Sequence, residues 1–237
     1  MTRTVFLQTT PITFTLERKA VKNLNLRIRA DGSVYISASP RVPVGVIDDF
    51  VRANGARICT AMARFAEAAR QAPPPRQYED GELLPLLGQT LPLRLAAGAP
   101  GAVQDGGELR QTVPDPDDFA ARERVAAQFY DAQCRAVFGE GMAEAVPRFA
   151  PFGVETPALR IRTMKSRWGS CIPAKGIVTL NRRLIEHPRA CIEYVAVHEL
   201  CHFLEANHSP RFYGWLDAML PDWRARRAVL EGRGGDE

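Results

Sequence analysis

Alternation of apolar and polar residues marks the start of the chain. Residues 12–18 and 24–30 both alternate, and a third run, residues 33–38, follows the dipeptide Asp31-Gly32. A period of two residues is typical of strands with one buried face, and an Asp-Gly pair favours a tight hairpin turn. The pattern therefore predicts a small β-ribbon in the N-terminal region.

A helical pattern follows this ribbon. Residues 46–70 predict a helix that Gly55 could interrupt, and the run Pro73-Pro74-Pro75 breaks the chain after it. Residues 78–95 then contain short apolar runs that resemble strands. Residues 97–107, which are rich in glycine and alanine, predict a flexible connection.

The second half of the chain mixes helical and strand-like segments. Residues 158–163 alternate in character and residues 176–181 are rich in β-branched residues, so both predict strands with a loop between them. A long helix is predicted from about residue 119 to 138, and further helices over the apolar segment around residues 192–204 and over residues 210–220 and 222–231.

These segments predict an α+β fold. We expect a β-rich N-terminal part with one helix over residues 1–113 and a C-terminal part over residues 114–237. A chain of 237 residues suffices for one or two domains, and its 46% hydrophobic content suffices for a core.

The most specific chemical pattern is the run His198-Glu199-Leu200-Cys201-His202, an H-E-x-x-H motif. Three of the four histidines of the chain fall between residues 198 and 208. Positions i and i+4 of a helix share one face, so His198 and His202 can bind one ion together. Glu199 lies about 100° around the helix, where its carboxylate can take a proton from water. The motif predicts a hydrolase with one Zn²⁺ per chain.

A third protein ligand is expected, because catalytic zinc commonly has three and keeps one position open. His208 is the natural candidate, since Asn207 favours a left-handed helix stop and Ser209-Pro210 favours the start of a new helix. Glu205 is the competing ligand, because it lies seven residues after His198 and would share its helix face. Glu205 could instead accept a hydrogen bond from a ligand imidazole, or be a solvated charge.

A chance occurrence of the motif is the alternative, because short motifs also arise without function. The surrounding residues weaken that alternative. The segment is otherwise apolar, which predicts a buried helix. Buried histidine and glutamate side chains without partners would be costly, and a metal ion explains them.

Several segments together resemble a known family. They are Lys165-Ser166-Arg167-Trp168-Gly169-Ser170-Cys171, Leu180-Asn181, the H-E-x-x-H helix and Asn207-His208-Ser209. The combination, densest over residues 159–223, is similar to the YgjP-like metallopeptidases, which resemble WLM and SprT-like proteases. The resemblance implies a zincin-like C-terminal domain. It also implies zinc ligation by His198, His202 and His208, with Glu199 as general base.

Metzincins are a related possibility, because the spacing from His202 to His208 also matches theirs. Glu205 stands here where metzincins have a glycine. This difference favours the YgjP-like assignment.

Polar residues around the predicted strands are candidates for substrate binding. Arg162, Lys165 and Arg167 could stabilise a developing oxyanion or bind an anionic group of the substrate. They could also be solvated charges of a strand and a loop. Asn181 could hydrogen-bond near the site or cap a strand. In zincin folds an edge strand beside the cleft pairs with an extended peptide, so the resemblance implies backbone recognition of substrate.

The composition agrees with a cytoplasmic enzyme. The formal net charge of +4 is modest, and no nucleic-acid reading module is present. No run of 18 or more apolar residues occurs and the N-terminus lacks a signal-peptide core, so no membrane association is expected. Five scattered cysteines predict reduced thiols. Cys171 and Cys201 lie near the proposed site, and core packing is favoured over metal ligation for both.

Three functions are compatible with these residues. The leading one is a zinc peptidase acting on a peptide or an unfolded protein. The second is a metal-dependent nucleoside triphosphate pyrophosphatase or phosphohydrolase, which the cations Arg162, Lys165 and Arg167 suggest although no phosphate-binding glycine loop is present. The third is a structural zinc module, against which the intact Glu199 argues. A nucleic-acid-directed protease, by analogy with SprT-like proteins, is a variant of the first and would show salt-dependent DNA binding.

Overall fold

Two compact units make up the chain in the computed structural model, which describes residues 1–29, 31–71 and 74–232. The first unit is Met1–Pro75 and the second is Arg76–Glu237, because residues within each segment contact one another far more than they contact the other segment. The predicted boundary after residue 113 falls inside the second unit, because residues on both sides of it share one hydrophobic core. Each unit contains helices and strands, so the α+β class is confirmed.

A four-stranded sheet begins the first unit. Its strands are β1 (Thr2–Leu7), β2 (Thr10–Arg18), β3 (Asn25–Ile28) and β4 (Val34–Ala38), in the order β1-β2-β4-β3. Strand β4 runs parallel to β2 and antiparallel to β3, and Gly32 adopts a φ of +79° in the turn between β3 and β4. The predicted strands and hairpin are confirmed, except that residue 30 lies outside the described residues.

Two helices cover this sheet's hydrophobic core. They are α1 (Val44–Ala53) and α2 (Gly55–Gln71), so the predicted helix is interrupted where Gly55 stands. A Cβ atom at Gly55 would lie 2.8 Å from a methyl group of Leu7, so a larger residue at this position would require the Leu7 side chain to move. Ile36, Ile47 and Ile58 are fully buried between the sheet and the helices. The predicted break at Pro73 lies outside the described residues.

A second four-stranded sheet opens the second unit. Its strands are β5 (Leu83–Leu86), β6 (Gln89–Ala97), β7 (Gly101–Asp105) and β8 (Glu108–Val113), in the order β5-β6-β8-β7. The predicted flexible connection over residues 97–107 is wrong, because β7 pairs antiparallel with β8 through the whole of its length. The glycines form the turn of this hairpin, where Gly106 and Gly107 have φ values of +55° and +91°.

Helix α3 (Phe119–Ala145) is the longest element. Asp118 begins it by accepting a hydrogen bond from the Ala121 N–H at 3.1 Å. The helix continues past the predicted end at residue 138, because its buried face extends to Met142 and Ala145. These residues pack into the same core as Leu84, Leu93 and Leu109 of β5, β6 and β8.

A three-stranded sheet and three helices follow. The strands are β9 (Ala158–Arg162), β10 (Gly169–Ile172) and β11 (Ile177–Asn181), in the order β10-β11-β9, and the helices are α4 (Arg189–Cys201), α5 (Pro210–Met219) and α6 (Trp223–Leu230). Two predicted strands are confirmed, but the predicted loop between them contains the unexpected β10. Strand β10 pairs antiparallel with β11, from Gly169 opposite Leu180 to Ile172 opposite Ile177, and its short sequence Gly-Ser-Cys-Ile has no alternation that would have predicted it.

Helix α4 is buried on nearly all sides, as its apolar sequence predicts. Val197, Leu200 and Cys201 are fully shielded from solvent in the core. Among the described residues, no helix combines the length and the apolar character needed to cross a membrane.

Candidate active site

The first two histidines of the motif meet at the C-terminal end of α4. His198 lies in the last turn, and His202 caps the helix with φ of −67° and ψ of −14°. Their ring centroids are 5.2 Å apart. The i and i+4 spacing therefore places both imidazoles on one side of the helix end, as predicted.

The chain reverses direction after His202. Turns closed by hydrogen bonds from the Glu205 N–H to the Cys201 carbonyl and from the Ser209 N–H to the Asn207 carbonyl produce the reversal. The predicted left-handed conformation of Asn207 is wrong, because Asn207 is not among the described residues with positive φ. The predicted start of α5 is confirmed, since the Ser209 hydroxyl accepts a hydrogen bond from the Phe212 N–H at 3.3 Å.

This reversal brings His208 back to the helix end. The Nε2 atoms of His208 and His198 are 3.0 Å apart. One ring nitrogen from each of His198, His202 and His208 lies within 4.8 Å of the other two, a separation at which one ion can contact all three. Phe212 is fully buried and packs against the three imidazoles, with centroid distances of 4.7 to 5.0 Å.

Backbone atoms of residue 205 orient the second imidazole. The Nδ1 atom of His202 lies 3.2 Å from the Glu205 carbonyl oxygen, which leaves Nε2 for another partner. The Glu205 carboxylate lies 3.9 Å from Arg211 Nε and outside the histidine cluster. Helix α4 ends before Glu205, so this side chain does not return to the face of His198.

The electrostatic surroundings favour neutral imidazoles. Burial lowers the pKa of His198 to about 3, with further contributions from the nearby His202 and His208. Burial also lowers the pKa of His202. The buried Nδ1 atom of His198 has no hydrogen-bond partner among the described residues. Three close imidazoles, two of them with lowered pKa values, fit a divalent ion such as zinc, because metal ligation requires the deprotonated ring nitrogen.

Glu199 is buried beside the cluster. Its side chain is 5% exposed. Burial raises the pKa of Glu199 to about 8, an effect that the positive charge of Arg167 partly opposes. A Cβ atom at Gly169 would overlap the carboxylate and lie 2.7 Å from Glu199 Cγ. The absence of a side chain at Gly169 therefore leaves space for the Glu199 carboxylate beside β10.

A cleft of about 440 Å³ opens over these residues. Strand β10, helix α4, the turn after it and helix α6 form its walls. The lining residues are Arg167, Trp168, Gly169, Ser170, Cys171, Pro173, Tyr194, Val195, His198, Glu199, His202, Ala206, His208, Arg227, Leu230 and Glu231. The cleft thus contains the motif residues and one of the predicted cations, Arg167.

The other predicted cations lie elsewhere. Arg162 lines a separate hollow beside α3, together with Asp131 and Arg182. Lys165 is exposed and does not line the cleft. Their proximity in sequence to Arg167 therefore does not place them beside the histidines.

Asn181 is buried beneath the loop that precedes β10. Its side-chain amide donates to the carbonyl oxygens of Met164 and Arg167 at 2.9 Å each. Its Oδ1 accepts hydrogen bonds from the Met164 and Arg183 N–H groups. The side chain is thereby occupied in holding the loop that carries Arg167, and it does not line the cleft.

Several lining residues escaped the sequence analysis, among them Tyr194 and Arg227. Tyr194 lies one helical turn before His198, with ring centroids 5.9 Å apart, so the i−4 position could have revealed it. Arg227 comes from α6, and its Nε donates to Glu231 at 2.8 Å. Nothing local in the sequence relates Arg227 to the motif, since the folding of α6 brings it there.

The cysteines near the site are not part of the cluster. Cys171 lines the cleft and Cys201 is fully buried. Burial raises the pKa of each thiol to about 12, so both remain protonated near neutral pH. All five cysteines are free thiols.

Comparisons with known proteins give one family match. The model of the family described as "YgjP-like, metallopeptidase domain" matches residues 22–233. No curated protein sequence matches the chain. Among solved structures, a metallopeptidase zymogen, jannalysin of Methanocaldococcus jannaschii, is similar with 19% identity and a TM-score of 0.35. That match covers 40% of this chain and 88% of jannalysin, and so slight a likeness carries no argument.

Proposed function

We propose that this chain, which belongs to the YgjP-like metallopeptidase family, is a zinc-dependent peptidase of unfolded or extended protein segments. The observation that carries the proposal is the convergence of three imidazoles beside a buried carboxylate in one cleft. Family membership supports a metallopeptidase. The identity of the metal and the role of each residue are inferred from the site.

His198, His202 and His208 would hold the zinc ion. One ring nitrogen of each lies within 4.8 Å of the other two, and burial lowers the pKa of His198 and His202, which suits a three-histidine site. When bound, zinc lowers the pKa of water to about 7 and polarises a carbonyl group. Phe212 packs against all three rings, and the Glu205 carbonyl fixes the tautomer of His202.

Glu199 would act as the general base. Its carboxylate accepts a proton from the attacking water and then donates it to the nitrogen of the leaving amine. A raised pKa suits a group that must both accept and return a proton near neutral pH. The positive charges of an ion and of Arg167 favour the ionised carboxylate before the reaction begins.

Strand β10 would bind the substrate backbone. It is an edge of its sheet, in the order β10-β11-β9, and Gly169, Ser170 and Cys171 line the cleft. An edge strand can pair with an extended peptide through main-chain hydrogen bonds. Arg167, two residues before this strand, would hold the developing negative charge of the carbonyl oxygen.

The alternative function, hydrolysis of nucleoside triphosphates, was suggested by three cationic residues that were expected to lie beside the metal site. Of Arg162, Lys165 and Arg167, only Arg167 lines the cleft. The apolar residues Trp168, Val195 and Leu230 share the cleft with it. Peptide hydrolysis is therefore the function that the lining favours.

The Glu199→Gln substitution tests the proposed base. Glutamine keeps the shape of the side chain but cannot accept the proton, so we expect hydrolysis of a labelled unfolded protein to fall at least about 100-fold. Zinc content should remain as in the wild type. Glu205→Gln is the matched control, because Glu205 neither joins the histidine cluster nor lines the cleft. Full activity of Glu199→Gln, or equal loss of zinc and activity, would refute the assigned role.

A further inference from the structure

The N-terminal unit carries the positive charge of the chain. Residues 1–75 contain eleven Lys and Arg against five Asp and Glu, a net charge of +6, whereas the whole chain has +4 and residues 76–237 therefore have −2. Several of these cations have acidic partners, such as Arg3 with Asp48 at 2.8 Å. Arg57 and Arg64 form no ion pair with any residue that the structure describes. Both lie on α2.

These two arginines flank a groove between β3 and α2. The groove has a volume of about 520 Å³. Its apolar lining comes from Leu26 and Ile28 of β3 and from Ala61 and Phe65 of α2, and Arg57 and Arg64 lie beside them. No acidic residue is part of the lining. The groove is therefore apolar at its base and positively charged on the α2 side.

Strand β3 forms the other wall, and it is an edge of its sheet. The Arg29 N–H donates to the Ser33 carbonyl at 2.9 Å. Because bonded residues alternate in an antiparallel pair, Leu26 and Ile28 direct their backbone N–H and C=O groups away from β4. Within residues 1–29, 31–71 and 74–232, no strand pairs with this outer edge. The edge can accept one more strand.

We propose that this groove binds an extended acidic protein segment with apolar residues at alternate positions, added as a strand beside β3. Backbone groups of Leu26 and Ile28 would pair with the segment, and its apolar side chains would cover Phe65 in the groove. Its acidic side chains would meet Arg57 and Arg64, whose charges no acidic residue of the described chain offsets by an ion pair.

The lining favours a protein segment over a nucleic acid. Single-stranded nucleic acids stack their bases on exposed aromatic rings. Phe65 is partly buried in the groove. Tyr35 does not line the groove, and its ring is covered by the Arg29 guanidinium at 3.8 Å. A free backbone edge, by contrast, suits a peptide.

This surface is independent of the proposed hydrolytic site. None of the groove residues belongs to the histidine cluster or to its cleft. Binding can therefore be measured without catalysis, and its failure would leave the peptidase proposal untouched.

The test is fluorescence anisotropy of a labelled peptide that alternates Val or Leu with Asp or Glu, titrated with the full chain carrying Glu199→Gln to prevent cleavage. We expect saturable binding that weakens with added salt. The double substitution Arg57→Glu and Arg64→Glu should weaken it by about tenfold or more, because charge complementarity is reversed. A peptide with Lys in place of the acidic residues should likewise bind the unsubstituted groove about tenfold or more weakly than the acidic peptide does.

A matched control reverses the same amount of charge outside the groove. Arg41 and Arg52 are exposed residues of the same unit, so Arg41→Glu with Arg52→Glu should change the affinity by less than about threefold. Circular dichroism confirms folding of each variant, and Arg57→Gln with Arg64→Gln, a milder change, should give an intermediate affinity.

Several outcomes would overturn the proposal. One is unchanged affinity in the groove variant, and another is equal weakening in the control. Equal competition by a single-stranded DNA oligonucleotide would assign the groove to nucleic acid. A dimer in sedimentation that is lost in the groove variant would assign it to self-association.

Discussion

At the residue scale, the contact between Gly169 and Glu199 is the tightest constraint on the site. The backbone of β10 passes so close to the carboxylate that a Cβ atom at Gly169 would overlap it. Glu199 is buried and Gly169 is half-buried, so neither the carboxylate nor the backbone of β10 can move out into solvent. The position of the proposed base is therefore set by a residue that has no side chain.

The Gly169→Ala substitution should displace Glu199 and reduce kcat/KM by about 100-fold, because small misplacements of a catalytic group are costly. Gly214→Ala in α5 is the control, since a Cβ atom there meets nothing within 4 Å and alanine favours a helix. Steady-state kinetics on a labelled unfolded protein measure the effect. Wild-type kinetics in Gly169→Ala would show that this contact does not position the base.

The motif residues were predictable because their geometry is local. Two histidines four residues apart share a helix face whatever the rest of the fold does. Which of the predicted cations line the cleft was not predictable in this way. Arg162 and Arg167 are close in sequence, yet Arg162 belongs to β9 and lines a hollow with Asp131, whereas Arg167 borders the cleft.

At the element scale, a set of ion pairs ties the motif helix to its neighbours. Glu193 of α4 receives hydrogen bonds from Arg226 of α6 and from Arg148, which follows α3. Arg148 also donates to the carbonyl of Met219, at the end of α5. Burial alone would raise the pKa of Glu193, but the hydrogen bonds from Arg226 and Arg148 outweigh burial and lower it below the usual value.

This lowered pKa makes the stability of the fold depend on pH. A carboxylate whose pKa is lower in the folded state stabilises the fold fully above its unfolded pKa, and this contribution disappears as the pH falls through the folded pKa. Glu193→Gln should therefore lower the free energy of unfolding by about 1.5–3 kcal/mol at neutral pH. In acid, below the usual glutamate pKa, the difference from the wild type should shrink.

Urea unfolding with a chelator present measures this difference without interference from metal release. Glu140→Gln is the control, because Glu140 and Arg189 form an exposed pair with side chains 56% and 59% accessible. Such a pair contributes at most about 1 kcal/mol. A Glu193→Gln penalty that stays constant from neutral pH into acid would contradict the assigned linkage.

The elements that the sequence predicted are those with a strong internal pattern. The strands β9 and β11 and the buried helix α4 follow from alternation or from continuous apolar character. Strands β7 and β10 were missed because neither has an alternating buried face, although Gly106-Gly107 is a two-residue turn that could have indicated the β7–β8 hairpin. Part of the cleft wall was consequently predicted as a loop.

At the scale of the whole molecule, the site and its supporting core belong to one compact unit. The large hydrophobic core extends from Leu84 to Leu230 and includes residues of α3, α4 and α5. The predicted division after residue 113 would have cut this core, because β5, β6 and β8 contribute Leu84, Leu93 and Leu109 to it. The pattern of apolar residues shows which segments are buried, but it does not show that segments far apart in sequence share one core.

This organisation predicts that residues 76–237 fold alone. Expressed without residues 1–75, they should unfold cooperatively and bind zinc with the same stoichiometry as the full chain, because all three histidines and their core are present. Residues 1–75 alone should bind none, as they contain no histidine. Calorimetry and elemental analysis of both fragments test this. A fragment 76–237 that remains unfolded with zinc present would contradict the division into units.

The central claim is that three histidines hold one zinc ion beside Glu199, and the metal content of purified protein tests it most directly. Elemental analysis should find about one zinc per wild-type chain and little in His208→Ala, whose site loses one of three ligands. His187→Gln should retain the metal, because His187, the fourth histidine, packs against Trp168 and lies outside the cluster. A wild-type chain that binds no zinc even when zinc is added, or a His208→Ala protein that keeps a full equivalent, would contradict the account.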